Sequence, residues 1–188
     1  MERNLKIEEE IKNDIDQLIK KIANYVNLPE NSDIKNTPNR IYKMMFNELI
    51  SGYFDNPKKY LRTFKSNNLS TPMIIENIPI KSLCEHHFLP MFGYANIVIK
   101  YKAKANVLGL SKFYRIVNSF ARKFQLQENL TNEIANFLYE NLDLEGVAVI
   151  LDCEHFCVKM RGVNVDNTRT KTIAGRGIYQ DYSKVINF

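Results

Sequence analysis

A chain of 188 residues, 45% hydrophobic and 25% charged, carries enough apolar matter for one sizeable core and has the composition of a globular domain. No apolar targeting stretch follows Met1, and the longest aliphatic run, Val147 to Leu151, falls far short of the ~20 residues of a membrane span, so a cytoplasmic protein without a membrane partner is expected. A formal charge of +5 suits an anionic ligand, while three cysteines, an odd number, argue against a disulfide framework and for metal binding or reactive thiols in a reducing compartment.

From the N-terminus, apolar residues recur at Ile7, Ile11, Ile15, Leu18, Ile19, Ile22 and Val26, the stripe of an amphipathic helix. A polar connector, Asn27 to Lys35, leads to Thr37-Pro38, which offers an N-cap and a proline at the first position of a second helix. That helix runs to about Ser51, with Gly52 as its stop. Residues 53 to 71 lack periodicity and read as irregular. The Ile-rich Pro72 to Ile80 and the alternating Gly93 to Lys104 read as strands, separated by a turn that ends at Leu89-Pro90. After Gly109 the helical period returns, first through Ile116, Val117, Phe120, Ala121 and Phe124, then through Leu130, Ile134, Phe137, Leu138 and Leu142. Gly146 to Val163 is strand-like again, and Thr168, Thr170 and Thr172 alternate beyond it. Two helices, two strands, two helices and two strands make an α+β chain.

All the cysteines and histidines fall within two stretches, LCEHHFLP (Leu83 to Pro90) and DCEHFCVK (Asp152 to Lys159). Cys84 and His87 have the C-x2-H spacing with which a tight turn aims a thiolate and an imidazole at one zinc ion. On a strand spanning residues 147 to 163, Cys153 and Cys157 would lie about 13 Å apart at ~3.3 Å per residue. Sulfurs so separated cannot share one tetrahedral ion with bonds of ~2.3 Å, so this strand contributes one cysteine and not two. Three protein ligands leave a fourth position for water, the arrangement of catalytic zinc, and His86 and His155 stay free for proton transfer. Lys159, Arg161, Arg169, Lys171 and Arg176 surround a single acid, Asp166, between positions 157 and 176, which makes that stretch anion-seeking.

The motifs SLCEHHFLP (Ser82 to Pro90), GLSKFYRIV (Gly109 to Val117), QLQENLT (Gln125 to Thr131) and HFCVKMRGV (His155 to Val163), with TPNRIYKM (Thr37 to Met44) upstream, resemble those of GTP cyclohydrolase I in order and spacing. The resemblance covers Thr37 to Gly175 and implies Zn2+ held by Cys84, His87 and Cys157, with Cys153 outside the site. It implies hydrolysis of the five-membered ring of guanine in GTP, loss of formate, and rearrangement to 7,8-dihydroneopterin triphosphate, the first step of folate and pterin synthesis. His86 and His155 are then the proton-transfer groups, and Ser111 and Gln127 line the catalytic pocket. Glu128 reads the guanine edge, Lys112, Arg115 and Arg161 bind the triphosphate, and Arg40 and Lys43 reach it from a neighbouring subunit.

Residues 1–55 become an N-terminal helical region and 56–188 a tunnelling-fold catalytic domain, an antiparallel four-stranded sheet plus two helices. Such subunits assemble side by side into an oligomeric β-barrel, a decamer of two pentamers, with no nucleic-acid partner. Read as ordinary residues, Arg40, Lys43, Lys112 and Arg115 are solvated helix positions, Glu128 a first-turn acid and Ser111 a helix N-cap. Two departures from the family pattern, Tyr101-Lys102-Ala103 at a strand end and Asn96 in place of a frequent histidine, bear on strand geometry.

Overall fold

The computed structural model describes residues 2–29, 32–66 and 71–181, so parts of both expected connectors, at 30–31 and 67–70, lie outside the described residues. Helix α1 (Leu5–Tyr25) is capped by Asn4, whose side chain accepts from the amides of Lys6 at 3.1 Å and Ile7 at 3.3 Å. It packs on α2 (Thr37–Lys43), where Thr37 is not the expected cap: Asn36 holds the cap position without a side-chain bond, and Pro38 sits in the first turn. The helix then widens into a π turn over Met44–Leu49, and a tight turn follows at Ser51–Phe54. Gly52 is required by close approach and not as a left-handed stop. Its amide donates to the Arg122 carbonyl at 2.8 Å, and a Cβ there would collide with the carbonyl oxygens of Ser119 and Arg122. Glu8, 3% exposed, ties this region together by accepting from Arg3 Nε at 2.7 Å and the Tyr42 hydroxyl at 2.6 Å.

The stretch expected to be irregular contains a turn at Pro57–Tyr60 and a short strand, β1 (Thr63–Lys65). The main sheet is built from β2 (Met73–Cys84) and β3 (Pro90–Tyr101), and β1 pairs antiparallel with β4 (Asn106–Leu108). Helix α3 (Leu110–Ala121) ends before Phe124, which instead forms β5 (Phe124–Gln125), parallel to the end of β2. Helix α4 (Gln127–Asn141), β6 (Leu144–His155), a single helical turn α5 (Phe156–Lys159) and β7 (Thr170–Gly177) follow, the last elements among the described residues. Strands β2, β3, β6 and β7 lie side by side in that order, every pair antiparallel, with β5 outside β2.

Helices α3 and α4 cover one face of this sheet. Between the layers, Ile78, Ile80, Met91, Ile97 and Ile99 from the strands meet Phe113, Ile116, Leu130, Ile134 and Leu138 from the helices, all fully buried. Each contributes about 1.5–3 kcal/mol of transfer free energy. In β2 a bulge places Glu76 and Asn77 opposite the single residue Asn96 of β3, and the Asn77 amide, at φ 56°, donates to the Asn96 side chain at 2.9 Å.

Strand β6 stops at His155 and does not run to Val163 as the residue pattern suggested. Its partner supplies the reason. Strand β3 begins at Pro90, which has no N–H, and the β3–β6 ladder accordingly ends at Met91 opposite His155. Beyond that point the chain coils into α5.

Candidate active site

The first cluster is a closed loop at the end of β2. The Cys84 amide donates to the Leu89 carbonyl and the Phe88 amide to the Cys84 carbonyl, both at 2.9 Å, which folds residues 84–89 back on themselves. Phe88 is left-handed at φ 56°, a conformation that costs a residue with a Cβ about 1 kcal/mol. Its ring stacks on Phe124 at 4.3 Å, a contact of about that size. Strand β5 braces the same loop: the Gln125 carbonyl accepts from the Glu85 amide at 3.2 Å. The buried Gln125 side chain in turn donates to the Phe120 carbonyl at 3.2 Å and to Glu133 at 3.1 Å. Nothing in the residue pattern marked Phe124 and Gln125 as a strand, because two parallel residues carry no period of their own.

The second cluster reaches this loop through α5. The turn into it is packed by Phe156, whose ring meets Phe92 edge-on at 5.4 Å. It carries Cys157 to the first cluster, where one ligand atom each of Cys84, His87 and Cys157 lie within 4.8 Å of one another. Cys84 Sγ is 3.6 Å from His87 Nδ1. Sulfur and nitrogen bound at ~2.3 and ~2.0 Å to a tetrahedral zinc stand roughly 3.5 Å apart, so the donor set and its spacing fit that ion. Burial first, and the neighbouring Cys84 thiol next, push the Cys157 thiol above its ordinary value, and a cation at their centre would oppose both. Cys153 is a different kind of cysteine: fully buried in the core and pushed up to about 12 by desolvation, it is an inert packing residue.

Beside the cysteines, His155 Nε2 lies 2.7 Å from Gln127 Oε1. Burial lowers the pKa of the half-buried His155 imidazole, and the nearby Glu128 carboxylate opposes that shift. The Gln127 side chain is turned inward: the residue is 2% exposed and its amide nitrogen contacts Leu151, Thr170 and Thr172. Glu128 is exposed in the first turn of α4. His86 points outward, its side chain 63% exposed and 3.9 Å from Glu85.

On α3, Gly109 is the cap, so Ser111 is not; it stands exposed at the second helical position, followed by half-buried Lys112 and exposed Arg115. The Arg115 guanidinium lies 5.9 Å from the Tyr60 ring. Most of the basic stretch after the second cluster is internally paired. Arg169 bonds Asp152 at 2.7 Å and Glu154 at 2.9 Å, and Lys159 bonds Glu154 at 2.6 Å. Lys171 lies 3.6 Å from Asp152, and Arg176 bonds Asn136 at 2.7 Å and Asn132 at 2.9 Å. Arg161, exposed and without an acidic partner among the described residues, is near enough to Cys157 to favour its thiolate. Arg40 and Lys43 lie exposed on α2, Arg40 paired with Asp33 at 3.1 Å.

The family description GTP cyclohydrolase I matches residues 11–187. A relative named GTP cyclohydrolase 1 from Campylobacter jejuni subsp. doylei is 43% identical over 159 residues, 84% of this chain and 82% of its own length. Another of that name from Acetivibrio thermocellus is 40% identical over 150 residues, 80% of this chain and 79% of its own length. Among solved structures, the apo form of the archaeosine synthase QueF-Like aligns with a TM-score of 0.47 and 14% identity, covering 58% of this chain and 97% of that one, a likeness too slight to define the fold.

Proposed function

This chain belongs to the GTP cyclohydrolase I family, and from that premise we propose that it opens the imidazole ring of GTP by zinc-dependent hydrolysis, releases the excised carbon as formate and recloses the remainder as 7,8-dihydroneopterin triphosphate. The observation that carries the reading is the convergence of Cys84, His87 and Cys157 from two distant segments. Zinc held by these residues supplies Lewis acidity for water activation at neutral pH.

The chain's own groups do the rest. His86, adjacent to a metal ligand, delivers a proton to the purine ring nitrogen, and His155 exchanges protons with the ribose as it opens. Glu128 accepts paired hydrogen bonds from the N–H donors of the guanine edge, which adenine does not present. Ser111 borders the pocket from α3. Lys112, Arg115 and Arg161 hold the triphosphate, joined by Arg40 and Lys43 of a neighbouring subunit. In this reading the sheet is that of a tunnelling fold, subunits join strand to strand around a ring, two pentameric rings make a decamer, and the enzyme works in the cytoplasm. Exposed Arg40 and Lys43, remote in sequence from the rest of the site, support a shared site.

Incubating the zinc-loaded protein with GTP tests the proposal: formate release together with pterin fluorescence is expected. Neither product at full zinc occupancy would overturn it. His155→Ala should keep the metal and lose turnover, whereas release of metal by that variant would make His155 a ligand of a purely structural site.

A further inference from the structure

His155 has two ring nitrogens, and a proton-transfer role requires knowing which one carries the exchangeable lone pair. The answer lies in Gln127, one residue before Glu128 and buried beneath the site. Its Nε2 lies 2.8 Å from the Thr170 carbonyl, 3.3 Å from the Leu151 carbonyl and 3.1 Å from Thr172 Oγ1. Carbonyl oxygens only accept, so the atom facing two of them must be the amide nitrogen; the reversed amide would set oxygen against oxygen with no proton between. The hydroxyls agree with this orientation. Thr172 receives from Gln127 Nε2 and passes its own proton to Thr131 Oγ1 at 2.6 Å, which donates to the Gln127 backbone carbonyl at 2.6 Å. Strands β6 and β7 and helix α4 thus all hold the amide one way round.

Gln127 Oε1, left facing His155 at 2.7 Å, is an acceptor, so His155 Nε2 must donate. No protein group among the described residues bonds Nδ1. We propose that Gln127 is a positioning residue that fixes the His155 tautomer with its proton on Nε2, leaving the Nδ1 lone pair as the one the ring presents for the reaction. This rests on the assignment of His155 to proton transfer, but the tautomer itself is a property of the protein without substrate.

The test is nitrogen-15 NMR of the imidazoles in the zinc-loaded protein, where three histidines give a simple spectrum and His155→Asn identifies the signals that belong to His155. The wild type should show His155 with a protonated Nε2 and an unprotonated Nδ1. Gln127→Met, close in shape but without an acceptor, should let both tautomers appear and lower kcat about 10- to 100-fold, the usual cost of an orienting partner, with KM for GTP changed far less. Gln127→Glu, which still offers His155 an acceptor oxygen, should keep the Nε2–H form. A wild-type spectrum with the proton on Nδ1 overturns the proposal, and so does a Gln127→Met spectrum unchanged from wild type. Should Gln127→Met fail to fold, the wild-type spectrum alone decides. If the protein shows the Nε2–H form yet does not turn over GTP, the tautomer lock stands and the proposed reaction falls.

Discussion

Around Cys84, His87 and Cys157 the supporting groups satisfy one another within a single chain: loop amides close on loop carbonyls, Gln125 braces the turn and Gln127 braces His155. The N-terminal helices are built otherwise. One buried ionic knot, Glu8 with Arg3 and Tyr42, holds α1 to α2, while Leu5, Ile7, Leu18 and Ile22 on α1 and Arg40 and Lys43 on α2 stand exposed. The contrast teaches that the Cys84–His87–Cys157 group is braced from several elements of the chain, whereas the N-terminal region leaves apolar and basic side chains exposed.

The strongest way to break this comparison is to compare two cysteines of the same segment. Cys157→Ala should empty the zinc site by metal analysis and lower turnover by on the order of 10³-fold or more, the loss expected when several kcal/mol of Lewis-acid stabilisation disappears. Cys153→Ala should keep its zinc and lose only about 1 kcal/mol of stability for the small cavity. Retained zinc in the first variant would remove Cys157 from the metal centre. Next in size is Glu128→Gln: trading a charge-assisted acceptor for a neutral amide should cost about 2 kcal/mol, or ~30-fold in kcat/KM for GTP.

Arg40→Ala probes the other region and should raise KM about 10-fold by removing one charge-assisted phosphate contact, with kcat little changed. Mixing Arg40→Ala, Lys43→Ala double-variant subunits, assayed at GTP far below their raised KM, with Cys157→Ala subunits sharpens the point. Regained activity in the mixed oligomer is expected if sites are shared, and none if each chain works alone.

The smallest effect belongs to Glu8. Hydrogen bonds from Arg3 hold its carboxyl below the ordinary range, against the opposing pull of burial. A carboxyl depressed in the folded state adds stability that is present above its unfolded pKa of ~4.3 and is lost as pH falls through the lower folded value. Protection of the α1 amides against hydrogen exchange, taken relative to their intrinsic rates, should therefore fall below about pH 4 in the wild type. In Glu8→Gln it should already be lower at neutral pH, by about 1 kcal/mol.

Much of this architecture was readable from residue types alone. The periods of α3 and α4 and the β-branched runs of β2, β3 and β6 each bury a face, so tertiary packing and local pattern agree, whereas the stripe of α1 forms its helix but leaves Leu5, Ile7, Leu18 and Ile22 exposed. Confinement of cysteine and histidine to two stretches located the group that could hold a metal, and of the two cysteines Cys157 alone joins Cys84 and His87 there, although the strand on which the distance argument rested ends before it. What the residues could not disclose depends on partners far along the chain. The end of β6 is decided by Pro90, the pairing of β1 by β4, the spacing at Gly52 by the carbonyls of α3, and the orientation of Gln127 by β7. The basic run likewise looked more available than it is, because its counter-charges, Asp152 and Glu154, lie on the preceding strand.

The extra residue at Asn77 sets the aim of the Cys84 side chain from seven positions upstream. Before it the inward side chain of β2 is Ile75; after it the inward set is Ile78, Ile80, Ser82 and Cys84, so parity switches from odd to even. Excising one residue at that point would rotate the downstream half of the strand by half a turn, and Cys84 would leave the side it shares with Ile80 although its immediate neighbours were untouched.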